Sequence, residues 1–208
     1  MNKLTVEKIA DLDDNFNELE NIFSQLHWNA IDQCPWESLY PYCPKVRFQI
    51  AHSEQYIYLH YQVDEEFVKG QYVRANENVW EDSCVEFFIS FDQKRTYYNF
   101  EFNVLATGLI GYGPTDKSQR TRLDEDVVES VDACTRIIKQ RGRKNWEIYL
   151  QIPKIIFGNR PYSGMTYHAN FYKCGDGLPT PHFISWNAIQ SEKPNFHLPE
   201  FFGEIYFV

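Results

Sequence analysis

The feature that most constrains the fold is an alternation of apolar and polar side chains with a period of two. Over residues 56–63, every second side chain from Ile57 to Val63 is apolar. The same alternation recurs in 84–91, 97–104, 146–152, 165–173 and 202–207. Successive side chains of a strand point to opposite faces, so each segment is predicted to be a strand with one face in a core. Short strands without helices between them predict an all-β fold, an antiparallel β-sandwich of the immunoglobulin or jelly-roll kind.

The beginning of the chain departs from this pattern. Residues 15–27 carry apolar side chains at three- and four-residue spacing, which predicts a short amphipathic helix. A proline-rich stretch over 35–44 follows and cannot continue a helix. We therefore predict an N-terminal extension, residues 1–45, packed on a β-sandwich formed by residues 46–208, with the whole chain as a single domain.

The charge of the chain narrows its possible partners. Lys and Arg total 20 against 29 Asp and Glu, a net charge of -9 over 208 residues. Affinity for nucleic acids comes mostly from Lys and Arg that neutralise phosphates, so we expect neither nucleic acid nor an anionic membrane as a partner. No apolar run reaches the roughly 20 residues that span a bilayer, and the N-terminus lacks the apolar core of a signal peptide. The expected location is the cytoplasm, or outside the cell if a leader has been removed.

The metal-binding residue types show no recognisable motif. The five cysteines lack CxxC spacing and are Cys34, Cys43, Cys84, Cys134 and Cys174. An odd, unpatterned set argues against a disulfide framework or a zinc site and favours reduced, mostly buried thiols. The acidic run over 11–15 resembles a calcium loop, but Phe16 stands where an EF-hand needs Gly and Ile22 where it needs Glu. We therefore expect no metal and no cofactor.

The segment 97–104 has an unusual polar face. The residues on that face are Tyr97, Asn99, Glu101 and Asn103. The preceding predicted strand adds Glu86, and Trp80 stands just ahead of it. Amides and carboxylates present donors and acceptors that suit sugar hydroxyls, and an aromatic ring offers a flat apolar surface to a sugar ring. The alternative is that this face is merely solvated and that Trp80 belongs to the core.

A second candidate cluster lies in the C-terminal half, over 167–187. Tyr172 and Lys173 come from the end of a predicted strand, and His182 and Trp186 follow a CGDG turn. Binding groups often gather on loops that a rigid scaffold positions. The alternative is that Trp186 fills the core and that Lys173 is a surface charge.

Five blocks of the sequence resemble a known family when they are taken in order. They are VWEDSCVEFFIS, YYNFEFNVLATGLIGYG, ANFYKCGD, HFISWN and HLPEFFGEIYF. In this order they are similar to a group within the family-nine carbohydrate-binding modules, a DOMON-like β-sandwich family often found in gut and soil bacteria. The resemblance covers most of the chain from Val46 to Val208. It implies a non-catalytic protein that binds a mono- or oligosaccharide.

The resemblance also implies site residues. Relatives attached to xylanases hold a terminal sugar between two tryptophans, which correspond here to Trp80 and Trp186. Glu86 matches a carboxylate six residues after the first tryptophan, and Lys173 falls near a basic position. The resulting candidate ligand-binding residues are Trp80, Glu86, Asn99, Glu101, Asn103, Tyr172, Lys173 and Trp186. Relatives also carry calcium, for which this sequence shows no motif.

Two other classes of function stay open. Glu86 and Glu101 could be the paired carboxylates of a glycoside-cleaving enzyme, which lie about 5.5 Å apart in retaining enzymes and about 6.5–9.5 Å apart in inverting ones. The aromatic side chains could instead form an exposed patch that binds another protein. Other catalytic signatures are absent from the sequence, since it contains no GxSxG, no P-loop, no dinucleotide fingerprint and no HExxH.

Overall fold

The computed structural model describes residues 1–12, 16–158 and 160–208. Within these ranges the strands are β1 (Lys3–Lys8), β2 (Asn29–Ile31), β3 (Lys45–His52), β4 (Tyr56–Glu65), β5 (Cys84–Ser90), β6 (Tyr97–Asn103), β7 (Gly108–Gly113), β8 (Thr121–Arg122), β9 (Asp132–Gln140), β10 (Arg143–Pro153), β11 (Met165–Cys174), β12 (Phe183–Ser185) and β13 (Gly203–Phe207). The helices are α1 (Phe16–Phe23) and α2 (Glu125–Glu129), and single 3-10 turns lie at Val79–Glu81, Lys117–Gln119, Lys154–Phe157 and Pro199–Phe201. The predicted all-β fold is confirmed.

The strands form two layers that one strand joins. The first layer has the order β8-β7-β6-β5-β11-β13, with β12 also paired to β11. The second has the order β3-β4-β10-β9, with β2 paired to β3. β1 runs parallel to β13 through Lys3–Val6 and then parallel to β3 through Glu7 and Lys8. A strand that passes from one sheet to the other makes a corner, and the two layers can then face each other as a sandwich.

The core lies between the layers and follows the predicted alternation. On β4, the apolar set from Ile57 to Val63 is fully buried. Phe87 of β5 faces the same core and stacks on Phe171 of β11, with 5.1 Å between ring centroids. Phe171 in turn stacks on Phe48 of the second layer at 3.8 Å. These aromatic contacts hold the two sheets together because large rings bury the most apolar area per residue.

The N-terminal segment, predicted as an extension packed on the sandwich, contributes strands to the sheets. β1 is a sheet strand, and its Val6 is fully buried in the core. The predicted helix is present as α1, whose Leu19 and Phe23 pack on Tyr58 of β4. The alternation of Leu4 and Val6 with polar neighbours was the sequence signal for β1. No helix in the described ranges is long and apolar enough to cross a membrane.

The prediction that the cysteines are reduced is wrong for two of them. Cys34 and Cys43 form a disulfide that closes the proline-rich loop. Their pairing depends on the path of that loop, which turns back on itself and brings two residues without motif spacing together. Cys84 and Cys174 are free and buried, as predicted, and Cys134 is free and half-buried.

Candidate functional site

A pocket of about 680 Å³ opens on the face of the first layer that points away from the core. Its floor comes from the strand positions that alternate with the core residues, namely Glu86 on β5 and Asn99 and Glu101 on β6. Glu86 and Glu101 stand directly opposite each other in the β5–β6 pair. The volume lies within the roughly 300–1,000 Å³ typical of small-molecule sites.

Hydrogen bonds fix the polar groups of the floor. Asn99 Nδ2 donates to Glu101 Oε1 at 2.9 Å, and the Cys174 thiol donates to Glu86 Oε1 at 3.0 Å. The guanidinium of Arg120 donates to Asn99 Oδ1, which fixes the orientation of the amide. Glu86 and Glu101 are only 4% and 5% exposed, so the pocket holds two nearly desolvated carboxyl groups side by side.

The environment of the two carboxyl groups favours their protonated forms. Burial raises the pKa of Glu86 well above its usual range, and the neighbouring Glu101 raises it further. Burial likewise raises the pKa of Glu101 to about 7, against the opposing hydrogen bond from Asn99 and the charge of Arg122. Two carboxylates close together in a low dielectric resist joint ionisation. Near neutral pH the floor therefore presents a carboxyl O–H donor at Glu86 beside a partly ionised acceptor at Glu101.

Aromatic side chains form part of the pocket wall. Trp80 lies in the 3-10 turn before β5 and is half-buried, so part of its ring is accessible. Tyr40, Phe183 and Phe196 line the same pocket. The rings of Tyr40 and Phe183 meet edge to face, with centroids 4.9 Å apart. Flat apolar surfaces beside a polar floor suit a ligand whose own surface alternates between C–H faces and hydroxyl groups.

Two arginines that the sequence analysis did not single out, Arg120 and Arg122, line the pocket. Arg120 donates to Gly113 O at 2.7 Å, and its Cζ lies 3.9 Å from the ring centroid of Tyr97. The Cζ of Arg122 lies 5.7 Å from the ring centroid of Trp80. Both come from the polar stretch between β7 and α2, which the sequence presents only as a long excursion. The sequence shows two arginines in that stretch, but it does not show that they reach the pocket, because their position depends on the pairing of β8 with β7.

Asp176 adds a third carboxyl group at the exposed side of the pocket. It belongs to the CGDG turn after β11 and is an exposed residue. The surrounding protein atoms desolvate its carboxyl group enough to raise the pKa to about 6, and the charge of Glu81 adds to this. Its backbone N–H donates to Trp80 O at 3.1 Å, which ties the turn to the tryptophan.

Four of the eight predicted site residues line the pocket, and four do not. The residues that line it are Trp80, Glu86, Asn99 and Glu101. Asn99 and Glu101 of β6 therefore lie on one face, as predicted. Other parts of the chain cover much of this face, so it is not simply solvated. Loops carrying Trp36, Phe196 and Phe202 pack over it as a second apolar cluster.

The prediction that Trp186 borders the same hollow as Trp80 is wrong. Trp186 is 5% exposed and lies in the core between the layers. Its ring meets Phe171 and Phe48 edge to face, at centroid distances of 5.4 and 6.1 Å. The residue follows β12 directly, and its backbone N–H donates to Phe171 O at 2.9 Å, next to the core. Phe183, at the other end of β12, is the one that reaches the pocket.

Asn103, also predicted as a ligand-binding residue, does not line the pocket. Asn103 is fully buried at the end of β6. Its Nδ2 donates to Tyr72 O and Asp82 Oδ2, each at 2.9 Å. Its Oδ1 accepts from the backbone N–H groups of Leu105 and Thr107, each at 3.0 Å. These four bonds use the whole capacity of the amide, so Asn103 builds the turn after β6.

Tyr172 and Lys173, two further predicted ligand-binding residues, do not line the pocket and are fully buried. Tyr172 stacks on Phe196 with 4.2 Å between centroids, and its hydroxyl donates to Phe196 O at 3.2 Å. Lys173 points to the opposite face of β11 because neighbouring strand residues alternate. Its Nζ lies 2.8 Å from Glu65 Oε2 in the core, so the alternative of a surface charge fails as well.

Glu65 is the centre of a buried polar network that joins the two layers. Its Oε1 accepts from Trp146 Nε1 at 2.6 Å, and its Oε2 lies 2.8 Å from Lys173 Nζ and 3.4 Å from His182 Nε2. Burial alone would raise the pKa of Glu65, but the charge of Lys173 and the hydrogen bonds from His182 and Lys173 lower it to about 2. The carboxylate therefore stays ionised inside the protein.

The described residues offer one group of converging metal-ligating side chains, and its chemistry does not suit the calcium that the resemblance implies. Across 1–12, 16–158 and 160–208, the group of three or more metal-ligating side chains with converging atoms is Cys84, Glu86 and Cys174. Calcium takes oxygen ligands, so two sulfurs do not suit it. The acidic run over 11–15 falls partly on residues 13–15, which lie outside the described residues.

Solved structures share this fold. A protein from Bacteroides uniformis ATCC 8492, provisionally described as carbohydrate-binding, is 35% identical, with a TM-score of 0.88 over 99% of both chains. A family 9 carbohydrate-binding module from Caldicellulosiruptor kristjanssonii in complex with glucose is 14% identical, with a TM-score of 0.63 over 100% of this chain and 96% of that one. The cellotriose complex of a family 9 module from the same organism is 15% identical, with a TM-score of 0.59 over 99% and 93% of the two chains.

A family model gives the assignment. The model for carbohydrate-binding family 9 matches residues 16–207, which include both layers of the sandwich and the pocket. A search of the curated proteins gives no match. The chain belongs to carbohydrate-binding family 9.

Proposed function

We propose that this protein binds a carbohydrate without cleaving it, in the pocket lined by Trp80, Asn99, Glu86 and Glu101. The observation that carries the proposal is the pairing of a half-exposed indole with a floor of two carboxyl groups and an amide. Relatives of the same family form complexes with glucose and with cellotriose, so we propose glucose or a short glucose oligomer as the ligand.

In the proposed binding mode, the aromatic wall and the polar floor of the pocket contact different parts of the sugar. The C–H face of the sugar ring lies on Trp80, where contact removes apolar surface from water. Hydroxyl groups accept from the carboxyl group of Glu86 and donate to the carboxylate of Glu101. Arg120 does not need to touch the sugar, because it already holds Asn99 in place. Sugars exchange hydrogen bonds to water for hydrogen bonds to protein, so affinity should be modest, with Kd between roughly 1 mM and 1 μM.

Titration calorimetry with glucose and cellotriose tests this proposal. We expect Trp80→Ala to weaken binding by about 1.5–3 kcal/mol, roughly ten- to hundredfold, because the ring loses its apolar contact with the sugar. Trp28→Ala is the matched control. Trp28 is also half-buried and also faces an arginine, Arg47 at 4.0 Å, but it lies on the other layer. The proposal fails if neither sugar binds or if Trp80→Ala binds as tightly as the unmodified protein.

Glycoside cleavage is the second candidate, and the opposed positions of Glu86 and Glu101 are what favour it. Side chains directly opposite in an antiparallel pair have Cβ atoms about 4.5–5.5 Å apart, which brings two carboxyl groups near the spacing of a retaining enzyme. Such enzymes flank the scissile bond from two sides, however, whereas this pair lies on one sheet face beneath the ligand. Binding is therefore the better supported function. Turnover of an aryl glycoside that Glu86→Gln abolishes, with sugar binding kept, would favour the enzyme.

A further inference from the structure

Two free cysteines lie beside Glu86 at the floor of the pocket. Cys84 and Cys174 stand directly opposite each other in the β5–β11 pair. Glu86 follows Cys84 by two residues and therefore shares its face of the sheet. One ligand atom from each of these three side chains lies within 4.8 Å of the other two, and all three residues are buried. Strand pairing thus brings the thiol of Cys174 next to Cys84 and Glu86, which are about 90 residues earlier in the sequence.

We propose that Cys84, Cys174 and Glu86 form a zinc-binding site whose fourth coordination position opens into the pocket. Cysteine sulfur and carboxylate oxygen are both established zinc ligands. Two sulfurs disfavour calcium and magnesium, which prefer oxygen, and the carboxylate disfavours a purely thiophilic ion. The zinc site shares Glu86 with the proposed sugar site, in which this carboxyl group donates to the sugar when no metal is bound. Zinc binding does not itself depend on sugar binding.

The distances need only small adjustments to suit zinc. Zinc binds sulfur at about 2.3 Å and carboxylate oxygen at about 2.0–2.2 Å, so ligand atoms of a tetrahedral site lie roughly 3.6–3.8 Å apart. Cys174 Sγ now lies 3.0 Å from Glu86 Oε1, at the distance of a direct hydrogen bond. An ion between them would replace this bond and push the two atoms apart by less than about 1 Å.

The pocket supplies the entry path and the open position. Glu86 and Cys174 line the pocket, and Cys84 lies behind them, fully buried. An ion arriving from the pocket therefore meets a carboxylate and one sulfur first and the second sulfur last. Zinc sites that keep a position open for water or a ligand oxygen have three protein ligands, whereas structural sites have four.

The charges and protons of the proposed step balance. On binding, the thiol protons of Cys84 and Cys174 and any proton on Glu86 pass to water, while two Zn–S bonds and one Zn–O bond form. No electrons are transferred. Three anionic ligands leave one negative charge in excess of the dication. Burial raises the pKa of Cys84 and of Glu86, so the ion has to displace protons that burial favours.

Cobalt substitution tests the proposal. The protein is handled under nitrogen without added reductant, so that the Cys34–Cys43 disulfide stays closed, and is titrated with Co²⁺ and then with Zn²⁺. We expect an equimolar amount of Co²⁺ to give thiolate-to-cobalt charge-transfer absorption that Zn²⁺ removes. Cys84→Ser and Cys174→Ser should lose this absorption, and Glu86→Gln should weaken zinc binding at least about tenfold. Cys134→Ser is the matched control, because Cys134 is a free thiol outside the group, and it should behave as the unmodified protein.

Two results would overturn the proposal. One is the absence of charge-transfer absorption from the unmodified protein at equimolar Co²⁺. The other is absorption that persists in both Cys84→Ser and Cys174→Ser. The first result needs only the spectrum of the unmodified protein, so it can overturn the proposal even if a serine variant fails to fold. Sugar calorimetry without metal is a separate measurement, so the zinc site and the sugar site can fail independently.

Discussion

Replacing Glu65 with glutamine is expected to lower the free energy of unfolding at pH 7 by about 3–5 kcal/mol. Glu65 is the buried anion that Lys173 faces at 2.8 Å, and its loss leaves a fully buried cation without a counter-charge. Urea denaturation followed by fluorescence measures the effect. Glu66→Gln is the control, since Glu66 is the next residue and is exposed, and it should change stability by less than about 0.5 kcal/mol.

The dependence of this effect on pH has a definite sign. The pKa of Glu65 is about 2 in the folded protein against an ordinary value of 4.5. Stability from a depressed acid pKa is fully present above 4.5 and is lost as the pH falls towards 2, and at about 1.4 kcal/mol per pKa unit it amounts to about 3 kcal/mol. The gap between Glu65→Gln and the unmodified protein should therefore narrow as the pH falls below 4.5. A gap under about 1 kcal/mol at pH 7 would contradict the assigned role of the network.

Replacing Glu101 with glutamine is expected to have the opposite effect on stability. The pKa of Glu101 is raised to about 7, so the ionised carboxylate costs folding free energy that the protonated acid does not. The stabilising contribution of the raised pKa is fully present below 4.5 and is lost as the pH rises through 7. Glu101→Gln should leave stability nearly unchanged at pH 4.5 and should raise it at pH 8, by up to about 3 kcal/mol.

Sugar affinity supplies the second readout of the same substitution. Hydrogen bonds to an ionised acceptor are about twice as strong as neutral ones, so the affinity of the unmodified protein for glucose should rise between pH 5 and pH 8. Glu101→Gln should bind more weakly and without this rise. Glu129→Gln, on the exposed side of α2, is the control for both measurements. If Glu101→Gln is less stable than the unmodified protein at pH 8, the ionised carboxylate of Glu101 does not destabilise the fold, which would contradict this prediction.

The sequence determined the faces of the strands but not what covers them. The alternation in 97–104 correctly placed Asn99 and Glu101 on one face, because the side-chain period of a strand is fixed by backbone geometry. It did not predict that Trp36 and Phe196 cover that face, since they come from loops far away in the chain. Burial of a strand face depends on such long-range packing, and no local pattern encodes it.

Two of the differences between the predicted and observed sites come from the face of the sheet on which a residue lies. Lys173 and Cys174 are neighbours on β11, and a shift of one residue separates the core from the pocket. Phe183, the first residue of β12, lines the pocket, whereas Trp186, directly after β12, lies in the core. Arg120 could not be assigned for a different reason, because its position depends on the short β7–β8 pair.

A crystal structure of the protein soaked with glucose tests the central claim most directly. We expect one sugar in the pocket, with its C–H face on the ring of Trp80 and with hydroxyl oxygens within hydrogen-bonding distance of Glu86 and Glu101. A glucose bound elsewhere on the protein, or a pocket without sugar at a saturating concentration, would contradict it.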